Sequence, residues 1–146
     1  MNKTITAGIV ALTAMFAGST MAAEKFSNGA HVMVSKFNTI TNKDVGFILR
    51  KKGEDEQGDG IYHLECTGEG GGGNKGEYLT TSGESKPGSF VGYDKDTTEW
   101  VLHKNSSGWS IILRKNGALA VSKNGERKEL QRNQGAKHQV WQISEK

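Results

Sequence analysis

The 146-residue sequence contains a single cysteine and a single proline. With Cys66 as its only thiol, the chain cannot form an internal disulfide, although small exported domains commonly depend on them. Beyond residues 5–16 there is no long apolar run, which argues against a membrane span, since a spanning helix needs roughly 20 apolar residues. Downstream of that run, no segment keeps a helical apolar period over three turns. A formal net charge of only +3 lacks the electrostatic footprint of a nucleic-acid binder.

Signatures of catalysis are missing too. There is no Gly-x-Ser-x-Gly elbow and no phosphate loop. His31, His63, His103 and His138 form no metal-ligand spacing, and Cys66 has no companion thiol. Asp55-Glu56-Gln57-Gly58-Asp59-Gly60 loosely resembles the start of a calcium loop. The position that would close such a loop with a carboxylate holds Cys66, and a charged hairpin tip is expected instead. The sequence therefore predicts a protein that is not an enzyme and has no cofactor and no metal.

The opening residues read as a targeting segment. Lys3 supplies a positive start, residues 5–16 are apolar, and small residues run from Gly18 to Ala23. This is the pattern of a secretory signal peptide over residues 1–23, and it predicts a secreted or periplasmic protein. Residues 24–146 then form one domain by size.

That domain reads as all-β. Strands are expected at 30–34, 46–50, 61–65, 78–81, 90–93, 100–103, 109–113, 118–121, 128–131 and 139–143, with Gly, Asn, Asp and Ser clusters between them. Asn116-Gly117 and Asn124-Gly125 are hairpin-turn dipeptides, because both residue types tolerate positive φ. In Tyr62-His63-Leu64-Glu65-Cys66, alternation puts Cys66 on the face of Tyr62 and Leu64, as a core thiol. Residues 68–73, with four consecutive glycines, are expected to be a mobile surface loop.

One pattern recurs three times. An apolar strand residue (Val32, Leu79, Leu119) is followed by a second apolar anchor (Phe47, Phe90, Leu130), then by an aromatic-x-apolar triplet (Tyr62-His63-Leu64, Trp100-Val101-Leu102, Trp141-Gln142-Ile143). A serine lies three residues after each first anchor: Ser35, Ser82 and Ser122. Such a period marks one supersecondary unit used three times, at about 27–66, 74–105 and 109–144. Three units of short strands predict a β-trefoil, with a small antiparallel β-barrel or an irregular sandwich as alternatives.

The third unit carries Gln139-Val140-Trp141, and here the chain resembles the ricin-type trefoil lectins with their Gln-x-Trp motif. The resemblance covers roughly residues 27–144. It implies that the tryptophan packs inside, that the glutamine supports a loop, and that the domain binds carbohydrate. The family's sugar-binding aspartate has no counterpart, because Met33, Thr80 and Ala120 occupy its places. The places of the aromatic platform hold Arg50, Tyr93 and Asn133, so Tyr93 with Asp94 beside it, and Asn133, are the candidates there. From the residues themselves comes a basic stretch beyond Arg114, including Arg127, Lys128 and Arg132, which can attract an anionic polysaccharide. The expected function is lectin-like binding of a glycan or anionic polysaccharide. The alternative is a protein-binding module with an exported protein partner, such as a protease inhibitor or a subunit of a toxin or adhesin.

Overall fold

A computed structural model describes residues 23–146. The signal-peptide reading therefore lies, but for its last residue, outside the described residues. Ten strands follow one another: β1 (His31–Val34), β2 (Val45–Glu54), β3 (Gly60–Cys66), β4 (Tyr78–Thr81), β5 (Val91–Asp94), β6 (Trp100–Asn105), β7 (Gly108–Leu113), β8 (Leu119–Asn124), β9 (Arg127–Arg132) and β10 (Ile143–Glu145). Every pairing is antiparallel.

The three units appear as three hairpins. β1 pairs with β2 through Val32 and Phe47, β4 with β5 through Leu79 and Tyr93, and β8 with β9 through Val121 and Leu130. Alternation along each strand sends these side chains to one shared core, which also takes in Leu49, Leu64, Leu102 and Ile111, all fully buried. Each such side chain contributes roughly 1.5–3 kcal/mol on burial. The closing aromatics tie strands as well as filling space. Trp100 Nε1 donates to the Leu79 carbonyl at 2.9 Å, and Trp141 Nε1 donates to the Val121 carbonyl at 3.1 Å. In the first unit the Tyr62 hydroxyl donates to the Phe26 carbonyl at 2.6 Å. A buried N–H or O–H with an acceptor avoids the desolvation cost that an orphan would carry.

Several local expectations are corrected. Strand 139–143 is broken: residues Lys137–Gln139 make a 3-10 turn, Trp141 holds one isolated bridge to Trp109, and β10 begins only at Ile143. The buried Gln139 side chain, rather than a ladder, holds this stretch. The second-unit anchor also shifts by one residue. Val91 is 1% exposed, whereas Phe90 is 55% exposed. Counting from Val91, alternation then turns Tyr93 inward and Asp94 outward. The three serines do not share a role: Ser122 is buried, Ser35 half-buried and Ser82 exposed.

The glycine run is packed rather than loose. It contains a 3-10 turn at Glu69–Gly71 that lies against β2, and Gly72 and Gly73 beyond it lie against Tyr93 of β5. A Cβ on Gly70 would stand 1.8 Å from the Asp44 carbonyl oxygen, and one on Gly73 would meet Cys66 Sγ and the Tyr93 ring at 2.7 and 2.8 Å. The glycines are needed because backbone passes directly over neighbouring atoms. Cys66 beneath them is buried, as its place on the core face of β3 predicts.

Candidate functional site

Two depressions bring together side chains that are far apart in sequence. The first lies where the three units meet, and encloses about 300 Å³. Its wall draws Asn38, Thr39 and Ile40 from the β1–β2 connection, Phe90 and Tyr93 from β5 and its approach, and Arg127 and Lys128 from β9. Of the six residues singled out from sequence, it gathers Tyr93, Arg127 and Lys128.

Their roles differ from those expected. Tyr93 is no open stacking face. Its ring packs on Phe47 at 6.4 Å between centroids, the glycine segment crosses it, and among the described residues its buried hydroxyl has no hydrogen-bond partner. Burial raises the phenol's pKa far above its ordinary value. Arg127 lies on the rim. Its guanidinium is 5.4 Å from the centre of the Phe90 ring, Nε pairs with Glu129 Oε1 at 2.9 Å, and Nη2 donates to the Gly88 carbonyl at 2.6 Å. Lys128 points inward, because alternation on β9 turns it away from Arg127 and Glu129. It is 9% exposed, and Nζ donates to the Phe37 carbonyl at 3.0 Å. The ammonium also lies 4.8 Å from the Phe37 ring centre and 5.5 Å from that of Tyr93. Burial pulls its pKa down to about 8.

The second depression is a groove of about 870 Å³ between the first and third units. Lys36, Lys123, Lys137 and His138 line it, with Ser35, Ser107 and Gln142 as neutral hydrogen-bonding groups and Val140 and Trp141 as apolar surface. No carboxylate is among its lining residues. Among the described residues none of the three lysines is in an ion pair. The loop 133–138 that carries Lys137 and His138 is fastened from inside by Gln139. That side chain is 1% exposed and makes four hydrogen bonds. Gln142 Nε2 donates to the Ser107 carbonyl at 2.6 Å and joins the opposite wall.

The remaining candidates are scattered. Asp94, Arg132 and Asn133 are exposed and line neither depression. Asp94 Oδ1 accepts from the backbone of Lys95, and the Asn133 backbone N–H donates to the Ala118 carbonyl at 2.8 Å. Lys36 and His138 are not among the candidates that the sequence marks. Lys36 stands at φ +56°, with its backbone N–H held by Asp44 Oδ1 at 2.9 Å, and nothing local in sequence marks it. Lys123 and Lys137 belong to the basic stretch that sequence does mark. Among the described residues there is no cluster of His, Cys, Asp and Glu fit to hold a metal ion, and no helix is long and apolar enough to cross a membrane.

Three hairpins, each closed by an aromatic and converging on one core, define an all-β protein of the β-trefoil class. No family model matches the chain, and no curated protein matches it in sequence. Among solved structures, the Rhizoctonia solani agglutinin superposes with a TM-score of 0.63, over 83% of this chain and 99% of its own, at 11% identity. At that identity the likeness shows the fold alone and leaves the ligand to be argued from the site.

Proposed function

We propose that this protein is a non-catalytic carbohydrate-binding domain that recognises acidic polysaccharide through the basic groove. The observation that carries this reading is the set of three lysines and a histidine lining a groove without a carboxylate. A cationic cluster in a concave site concentrates anions by focusing the field. Hydroxyl and amide groups of Ser35, Ser107 and Gln142 can meet sugar hydroxyls, and Val140 with Trp141 offers apolar surface to a ring face. The trefoil likeness to an agglutinin supports the same class of ligand. Export to a periplasmic or extracellular setting, where such polysaccharides occur, is part of the proposal.

The test is titration calorimetry with heparin and polygalacturonate, using dextran as the neutral control. Binding to both polyanions is expected, weakening steeply between low and high salt because exposed charges are screened. The triple variant Lys36→Glu/Lys123→Glu/Lys137→Glu is expected to lose it. Equal binding of dextran, or retained affinity in the folded triple variant, overturns the reading.

A further inference from the structure

The pocket at the junction of the three units contains a feature that the basic groove does not explain. Lysine is rarely buried without a counter-charge, because removing an ammonium from water is costly. Lys128 is nine-tenths buried and among the described residues has no carboxylate partner. One of its three N–H groups is used, on the Phe37 carbonyl, and among the described residues the other two have no acceptor. Of the nearby acids, Glu129 is held by Arg127 and Gln131 and its strand position faces away, while Glu126, in the same wall, forms no ion pair with Lys128 among the described residues. Two ring faces, Phe37 and Tyr93, supply part of the missing stabilisation. A second polar group in the same wall, the buried Tyr93 hydroxyl, has no hydrogen-bond partner among the described residues. At the mouth stand two large apolar side chains in solvent, Ile40 at 69% and Phe90 at 55% exposure. The backbone around the pocket is fixed, with Asn38 Nδ2 donating to the Gly70 carbonyl at 2.8 Å and Thr39 Oγ1 donating to that of Glu126 at 2.8 Å.

A rigid recess with an uncompensated ammonium at its base and apolar side chains at its rim defines its own ligand. We infer that this junction pocket is a second binding site, which takes a carboxylate carried on a ring or apolar body, the carboxylate on Lys128 and the body against Phe90 and Ile40. Its volume of about 300 Å³ matches one small ring compound rather than a polymer. The pocket shares no lining residue with the groove, so it does not depend on the polysaccharide reading. The carboxylate can come from an acidic sugar or from a free organic acid, and the two arms of the experiment separate them.

The probes are methyl glucuronide and benzoate, with methyl glucoside and benzamide as neutral counterparts. Each is titrated into the labelled protein at pH 7 while backbone amide shifts are followed. At least one carboxylate is expected to give saturable shifts at Asn38, Gly71 and Gly92, with no matching response from its neutral counterpart. Saturation by the glucuronide assigns an acidic sugar, and saturation by benzoate assigns a free acid. Lys128→Met removes the charge while keeping the stem. It is expected to melt no lower than the wild type, since an apolar replacement relieves the buried charge. It should bind at least about tenfold more weakly, the loss of one charge-assisted contact. Lys123→Glu, in the other groove, is expected to leave these shifts unchanged. If Lys128→Met does not fold, the wild type titrated at pH 9.5 gives the same answer, with Lys128 discharged. Of the other groups beside the pocket, Glu129 is held below the ordinary carboxylate range and burial holds the Tyr93 phenol far above its own, so neither changes charge over this range; Glu126 and Arg127 also line the wall. No saturation by either carboxylate, equal response to the neutral probes, or undiminished binding without the ammonium overturns the inference.

Discussion

Gln139 offers the sharpest test of how the fold builds its groove. Its side chain is 1% exposed. Oε1 accepts from the backbone N–H groups of Gln134 at 2.9 Å and Ala136 at 3.4 Å, while Nε2 donates to Ser122 Oγ at 2.9 Å and to the Arg132 carbonyl at 2.6 Å. Replacement by leucine preserves volume and removes all four bonds. Ser122 is fully buried and keeps only its own link to the Ala120 carbonyl at 3.3 Å. The other three groups lie near the surface, where water replaces part of the loss. At about 1 kcal/mol for each net hydrogen bond, the expected cost is about 3–4 kcal/mol. For a domain of this size that lowers Tm by about 12–16 °C.

Urea unfolding followed by tryptophan fluorescence measures this, with Gln142→Ala as the control. Gln142 has one exposed bond, to Ser107, and should cost less than about 1 kcal/mol. Because Lys137 and His138 stand on the loop that Gln139 holds, Gln139→Leu should also weaken heparin binding at temperatures where the variant is still folded. A loss of stability below about 1 kcal/mol, or unchanged heparin affinity, refutes the assignment of Gln139 as the loop's internal fastening.

Three further outcomes are expected. Gly70→Ala places a Cβ 1.8 Å from the Asp44 carbonyl oxygen at a residue with φ +78°, so it should destabilise by at least about 2 kcal/mol in urea titration; a neutral result would show the segment free to move. Glu69 accepts from Lys146 Nζ, Thr67 Oγ1 and His31 Nε2, which hold its carboxyl down to about 2. A depressed folded-state value means that this stability is complete above the unfolded value near ~4.3 and is lost as pH falls towards about 2. Glu69→Gln should therefore flatten the decline of Tm between pH 5 and pH 2, values chosen to bracket that window of roughly two units, and an unaltered slope counts against it. Burial pushes the Cys66 thiol up to about 11, so a thiol reagent at pH 8 should label it only at the rate of unfolding; fast labelling of the folded protein would contradict its burial.

Much of the scaffold was readable because it is encoded locally. Strand alternation needs only neighbours along the chain, so Val32, Leu79 and Leu119 with Tyr62, Trp100 and Trp141 could be picked as a repeating core, and all six are buried. Cys66 followed from the same parity. Errors arose where a single residue changes the parity. Taking Phe90 instead of Val91 as the inward residue turned Tyr93 into a sugar platform, although the structure folds its ring under the glycine segment. The glycine run misled for a related reason. Four glycines in sequence read as freedom, but here they allow backbone to pass against Asp44, Val45 and Tyr93.

Sites are a different kind of information. By itself the sequence determined the class, because a two-residue period and a threefold echo are properties of adjacent residues. Tertiary structure decided which charges meet. Lys36 joins Lys123 and Lys137 only because β1, which precedes Lys36, pairs with β10, which follows the 133–138 loop. Arg127 and Lys128 are neighbours of the same charge in sequence, yet one reaches solvent over Phe90 while the other is buried between Phe37 and Tyr93. Burial, field and partner depend on atoms brought from the other two units, and no stretch of chain carries them alone.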